Sequence, residues 1–157
     1  MESKYTMKKY TESFYYQIKL TEKLIKIWCK QIEESLELPI TIDEITILDI
    51  INDNNGKIHQ RDLAQMIFRD RANTGKLLNN LEEKGYLIRV DMTKNKRQAK
   101  IINITEKGTE VINLFREEVE PIFEKVKERT SENQRKFAKQ YLQNIRDVIT
   151  ESIELHI

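Results

Sequence analysis

From Tyr5 to Leu36 the sequence contains neither proline nor glycine, and apolar or aromatic side chains recur at Phe14, Ile18, Ile25, Trp28, Ile32 and Leu36. Spacings of three, four and seven put these residues on one face of an α-helix. A second row at Leu20, Leu24 and Ile27 widens that face. A stripe this wide on a helix of roughly thirty residues needs more apolar surface opposite it than a small domain supplies, so a partner chain is expected. The C-terminal end behaves alike. Ser131-Glu132-Asn133-Gln134 is a capping box, and Phe137, Tyr141, Ile145, Val148 or Ile149, and Ser152 or Ile153 follow at helical spacing. Residues 1–38 and 109–157 are therefore expected as long amphipathic dimerisation helices. Pro121 is expected to kink or break the second of these segments, because its ring removes an i to i−4 hydrogen bond.

Composition narrows the class further. A chain of 157 residues with 39% hydrophobic and 34% charged residues, four glycines and two prolines is expected to be one soluble, mainly helical domain. No run of apolar residues exceeds three, against the roughly 18 needed to span a membrane, and Met1-Glu2-Ser3-Lys4 opens no signal peptide. A cytoplasmic location is expected, with no membrane partner. Cys29 is the single cysteine and the two histidines, His59 and His156, are ninety-seven positions apart, which excludes an internal disulfide and the usual zinc patterns. No metal and no cofactor are expected.

The middle of the chain is punctuated differently. Pro39 ends the first helix, and Thr41-Ile42-Asp43-Glu44 reads as a capping box opening a helix to about Asn52 that buries some of Ile45, Leu48 and Ile51. Asn52-Asp53-Asn54-Asn55-Gly56 is a turn, and Ile58 falls in a short extended piece. A short helix from Gln60 to Ile67 shows Leu63, Ala64 and Ile67 on one face, and Asp70 is the N-cap of a further helix, Arg71 to about Lys84. That helix is apolar at Leu77, Leu78 and Leu81, shows Arg71, Asn73, Thr74 and Lys76 on its other face, and stops at Gly85. The β-rich runs Tyr86–Val90 and Lys100–Ile104 flank a polar loop, Asp91 to Ala99, that holds Lys94, Lys96 and Arg97. Together they read as a hairpin with a basic tip. Thr105 then caps a helix carrying Val111, Leu114, Phe115 and Ile122.

Charge is distributed to match. The net charge is only +1, yet Gly56 to Lys107 holds twelve basic and six acidic residues, so a basic centre is flanked by acidic ends. Short helix, turn, second helix with small polar and basic residues, then basic-tipped hairpin is the order of a winged helix-turn-helix, here over residues 41–108. A helix about 10 Å across enters the major groove of double-stranded DNA, where Asn reads adenine and Arg or Lys reads guanine. The hairpin tip reaches the flanking backbone or minor groove.

The same residues resemble the MarR-type bacterial transcriptional regulators. The resemblance lies in Leu63-Ala64, Asp70-Arg71-Ala72-Asn73-Thr74-Gly75-Lys76, Leu81-Glu82-Glu83-Lys84-Gly85-Tyr86-Leu87-Ile88-Arg89 and Ile104-Thr105-Glu106-Lys107-Gly108. By that resemblance Asn73, Thr74 and Lys76 approach base edges or nearby phosphates, Gln60 and Arg61 contact the backbone, and Arg97 lies in the wing. It also implies a homodimer with interlocked first and last helices, binding a pseudo-palindromic operator with half-sites about 10 to 10.5 bp apart. Such regulators usually repress, and release DNA when a small anionic or phenolic effector binds or a cysteine is oxidised. The sequence departs from the pattern in two places. Gly75 replaces the usual Thr or Ser, weakening the helix by roughly 1 kcal/mol relative to Ala. Asn95-Lys96-Arg97 lacks the acidic residue that precedes the wing arginine, and the spacing from Arg97 to Thr105 is one residue longer than usual.

Other residues have two readings each. Tyr15, Tyr16 and Trp28, with Tyr10 nearby, line a ligand pocket or pack along the first helix. Cys29 is a buried small residue or a redox-sensing thiol, which would require a lowered pKa and access. An enzyme is the poorest fit, since no Gly-x-Ser-x-Gly or phosphate-binding glycine loop is present. A winged helix used only for protein contact is the remaining alternative.

Overall fold

The computed structural model describes residues 9–94 and 97–154, with the backbone alone at Arg71 and at residues 92–94 and 97–99. The chain divides into two units, residues 1–42 and 43–157. In the first, a single 3-10 turn at Tyr10–Glu12 leads into helix α1, Phe14–Ser35. The Ser13 hydroxyl accepts from the Tyr16 backbone N–H at 3.1 Å and so sets the start. This shortens the roughly thirty-residue helix expected from Tyr5; Tyr5 itself lies outside the described residues. The far end closes before Pro39. Leu38 N–H donates to Glu33 O at 3.2 Å and Glu37 adopts φ 48°, a left-handed C-terminal closure. Ile32 is the buried residue of α1, while Leu20, Leu24, Ile25 and Ile27 are exposed.

The second unit holds helix α2 (Ile42–Asp53, entered from the last residue of the first unit), strand β1 (Lys57–His59), helix α3 (Gln60–Met66) and helix α4 (Arg71–Glu83). Strands β2 (Leu87–Lys94) and β3 (Arg97–Ile104) follow, then helices α5 (Glu106–Glu128) and α6 (Glu132–Ser152). The sheet is antiparallel in the order β1-β3-β2, with Ile58 opposite Ile102 and Arg89 opposite Ile102 across the central strand. Its core is built from Ile45, Leu48 and Ile51 of α2, Leu63 of α3, Leu78 and Leu81 of α4, Leu87, Ile102 and Ile112, all fully buried. Mainly α with a small β wing, the fold is the winged helix-turn-helix expected from the sequence.

Two local expectations are corrected. The segment from Asp91 to Ala99, expected as a polar loop, is mostly strand, with Asp91 opposite Lys100 and Lys94 opposite Arg97. Apolar residues signalled strand in the sequence, whereas a ladder held by backbone hydrogen bonds does not require them. Pro121 lies inside α5, which runs unbroken from Glu106 to Glu128. About four turns of hydrogen-bonded helix precede the proline and hold the backbone through the missing donor. The break falls instead at residues 129–131. There Ser131 accepts from Gln134 N–H at 3.2 Å and the Gln134 side chain accepts from Ser131 N–H at 2.7 Å, the expected capping box. Leu114, Ile122 and Val126 on α5 and Phe137, Leu142, Val148 and Ile149 on α6 are exposed. No helix of the described residues is long and apolar enough to cross a membrane.

One junction positions both the second helix of the turn unit and the wing. Gly85, at φ 78°, closes α4, with Tyr86 N–H donating to Leu81 O at 2.9 Å. The Thr105 hydroxyl donates to Gly85 O at 2.8 Å while accepting from Gly108 N–H at 3.1 Å, so one side chain caps α5 and ties it to the end of α4. Lys107 donates to Lys84 O at 2.6 Å and lies over the Tyr86 ring at 4.6 Å. A β-carbon on Gly108 would collide with the Tyr86 carbonyl oxygen and stand 2.8 Å from Ile104 Cγ1. Gly108→Ala should therefore destabilise the fold by about 3 kcal/mol, the upper part of the overpacking range, as read by chemical denaturation. A change within about 0.5 kcal/mol would show that this junction is not close-packed.

Candidate nucleic-acid interface

Helix α3, the turn after it and helix α4 form the helix-turn-helix. The turn is made by Phe68 at φ 50°, with Arg69 N–H donating to Ala64 O at 3.1 Å, so a bulky residue occupies a left-handed position that glycine fills at less cost. Asp70 is the N-cap of α4. Its carboxylate accepts from Asn73 N–H at 2.9 Å and from Asn73 Nδ2 at 2.6 Å. Those two bonds, the backbone one foremost, hold its pKa below the usual carboxylate value.

The residues expected to meet DNA separate into distinct positions. Asn73 and Lys76 are exposed on α4, and among the described residues Lys76 makes no ion pair. Thr74, expected beside them, is fully buried, and its hydroxyl donates to Asp70 O at 2.8 Å. It faces the core and leaves the reading face, because one helical step of about 100° carries it off the arc that holds Asn73. Arg61 is exposed on α3, 3.4 Å from Asp62. Gln60 is half-buried, and its Oε1 has no hydrogen-bond partner among the described residues. Arg71 is the first residue of α4, and Lys94 and Arg97 face each other across the hairpin end, described by their backbone alone. Lys96 lies outside the described residues.

An open cleft of about 500 Å³ runs beside α4, lined by Arg69, Asn73, Lys76, Leu77 and Asn80. Arg69 was not among the expected contacts. Its position directly before the N-cap aspartate, within the basic centre, was the signal available in the sequence.

Three sets of bonds fix α4 in place. Glu44 of α2, nearly buried, accepts from Lys84 Nζ at 3.2 Å and from Asn80. Glu82 accepts from the Arg89 backbone N–H at 2.8 Å and from Arg89 Nε at 2.9 Å, and the same guanidinium donates to Asn79 Oδ1 at 2.6 Å. The junction at Gly85 and Thr105 is the third. Helix α4 and wing strand β2 are thus bound side chain to backbone.

In the first unit, the Tyr10 ring packs against Tyr16 at 5.5 Å and Tyr15 at 6.3 Å between centroids. Trp28 stands about 18 Å further along α1 from Tyr16, so this helix does not gather Tyr15, Tyr16 and Trp28 at one place. Cys29 is half-buried.

A model of the MarR family matches residues 38–98, which takes in α2, the helix-turn-helix and most of the wing. Over those residues the chain resembles the MarR family, and its fold is a winged helix. S. aureus MepR in its DNA-binding conformation is similar in structure, with a TM-score of 0.77, 20% sequence identity, and coverage of 88% of this chain and 99% of that one. Streptococcus pneumoniae FabT in complex with DNA matches with a TM-score of 0.70, 21% identity, and coverage of 92% and 100%. A MarR mutant from E. coli matches with a TM-score of 0.62, 15% identity, and coverage of 85% and 96%. Among curated proteins no sequence matches.

The Glu82–Arg89 bracket makes the stability of the fold depend on pH. The hydrogen bond from Arg89, ahead of all other causes, holds the Glu82 carboxyl below its ordinary value of 4.5. A depressed folded-state pKa adds stability that is complete above 4.5 and is lost as pH falls from there through the folded value. Tm followed from about pH 6 to pH 3 should therefore fall more steeply in the wild type than in Glu82→Gln, with the two curves converging in acid. Parallel curves would show that the carboxylate carries no such linkage.

Proposed function

We propose that this protein is a DNA-binding transcriptional regulator that grips a pseudo-palindromic operator as a homodimer and represses by occluding a promoter. The observation that carries the reading is the exposed arc of α4. Asn73 and Lys76 lie there with Arg69 beside one open cleft, on a helix fixed to its wing by Glu82 and Arg89. Asparagine and lysine on such an arc supply the donors and acceptors that base edges and phosphates pair with. DNA complexes among the similar structures support this reading.

The dimer is supported by the exposed apolar residues of α1, α5 and α6, since water-facing rows of this extent are stabilised by burial against a second copy. Two α4 helices related by a twofold axis then meet half-sites about one helical turn apart. A small anionic or phenolic effector, the class carried by the family resemblance, acts by favouring one spacing of the two α4 helices over another. Gln60, Arg61, Arg71, Lys94, Lys96 and Arg97 supply phosphate contacts around this arc in the same reading.

Lys76→Ala and Asn73→Ala should each cost about 1–3 kcal/mol in operator binding and relax sequence preference. Lys94→Ala and Lys96→Ala should weaken all duplexes alike and reduce the dependence of affinity on salt. Titration of a fluorescent operator and of a scrambled duplex at several salt concentrations reads both effects. Unchanged operator affinity in all four variants would remove α4 and the wing as the reading surface.

A further inference from the structure

Helix α4 carries Asn73, Asn79 and Asn80, and the fold uses the last two to bind neighbouring elements. The Asn79 side-chain carbonyl accepts from Arg89, and the Asn80 amide donates to Glu44. Asn73 is held differently. Asp70 Oδ1 accepts from its backbone N–H at 2.9 Å, and Asp70 Oδ2 accepts from its side-chain Nδ2 at 2.6 Å. The first bond caps the helix. Capping does not require the second, because Ser13, Thr105 and Ser131 cap α1, α5 and α6 through one hydroxyl oxygen each.

An ionised carboxylate accepts and cannot donate, so the NH2 end of the Asn73 amide is the end turned to Asp70. Without such a partner an exposed asparagine rotates broadly about its last torsion. Among the described residues the amide makes no other bond, so its Oδ1 and its second N–H remain for a ligand. Asn73 lines the open cleft with Lys76 and Arg69, on the arc proposed above to meet DNA. One acceptor and one donor are what the major-groove edge of adenine pairs with, through its N6 amino group and N7. Guanine presents two acceptors there, and an asparagine held in this orientation has one donor left for them. We infer that Asp70 is a positioning residue for base reading, its second carboxylate oxygen presetting the Asn73 amide to pair with adenine rather than guanine. This rests on the DNA-binding reading.

The test begins with selection of a duplex from a random-sequence pool by the wild-type protein. Wild type, Asn73→Ala, Asp70→Ser and Asp70→Asn are then compared on the selected duplex and on duplexes carrying 7-deazaadenine in place of each adenine in turn, which removes the N7 acceptor alone. At one adenine per half-site the replacement should weaken wild-type binding by at least about fivefold, the lower end for a bidentate pair, and should leave Asn73→Ala unaffected. Asp70→Ser keeps a capping oxygen for the Asn73 backbone and lacks the second acceptor. It should melt within about 2 °C of wild type yet lose the sensitivity to 7-deazaadenine, which a purely structural cap would not alter. Asp70→Asn keeps the cap and puts a donor where Oδ2 stood, so the Asn73 amide turns over and points its N–H bonds outward. A duplex selected by that variant should lose the adenine preference at this position, with guanine the favoured replacement. Both substitutions remove the same charge, so a difference between them is not electrostatic, and Asp70→Asn decides alone if Asp70→Ser melts further below wild type. Unchanged adenine dependence in both Asp70 variants, or the absence of any adenine at which Asn73→Ala and wild type differ, would overturn the inference. Failure of the wild-type pool to enrich any sequence would overturn the DNA-binding reading itself, and is seen before any variant is compared.

Discussion

The contact between the end of α4 and the start of α5 is the constraint on which the rest of the winged helix depends. Thr105 spends one hydroxyl on two backbones, donating to Gly85 O and accepting from Gly108 N–H. Lys107 covers the last carbonyls of α4 by donating to Lys84 O. Gly108 lets the α5 backbone come against the Tyr86 carbonyl at a distance that excludes any side chain. Between these two points the chain makes the wing hairpin, so fixing its two ends together fixes β2 against β3 in register. Helix α4 cannot turn about its axis without breaking this contact and the Glu44 and Arg89 bonds together. That rigidity turns a short surface helix into a reading element, because recognition of a base edge requires side chains held to a fraction of an ångström.

A division of labour follows within α4. Buried Thr74, Leu78 and Leu81 hold it to the core, while Asn79, Asn80, Glu82 and Lys84 bind neighbouring elements. Asn73 and Lys76 are left exposed. Among the described residues Asn73 bonds within its own N-terminal turn, to the Asp70 cap, which aims its amide without tying it to the core. The family-like motif residues Glu82, Gly85, Arg89, Thr105, Lys107 and Gly108 all serve the scaffold.

Much of this was legible in the sequence because it depends on local chemistry. Asp70 as an N-cap, Gly85 as a left-handed terminator and Ser131 with Gln134 as a capping box each act within four residues of themselves. What the sequence leaves illegible is set by distance or by arc. Thr74 differs from Asn73 by one residue, and only the packed helix shows that this step turns its hydroxyl inward to Asp70 O. The wing strands ran longer than their apolar residues indicated, since pairing with a partner strand leaves no trace in the composition of either one. Helix α1 begins nine residues later than its glycine-free stretch indicates, because Ser13 caps a new helix within that stretch. Glu44 illustrates the same limit: expected from the sequence as the end of a capping box, its carboxylate reaches Asn80 and Lys84, thirty-six and forty residues away.

The central claim is that the α4 arc, held as described, reads DNA in a dimer. The most direct measurement is binding of the purified protein to the DNA upstream of its own coding sequence and to a scrambled duplex, each at two salt concentrations, with the mass of the protein determined in the same buffer. The account predicts a dimer that prefers the upstream duplex and loses affinity as salt rises. A monomer, or binding that ignores both salt and sequence, would contradict it.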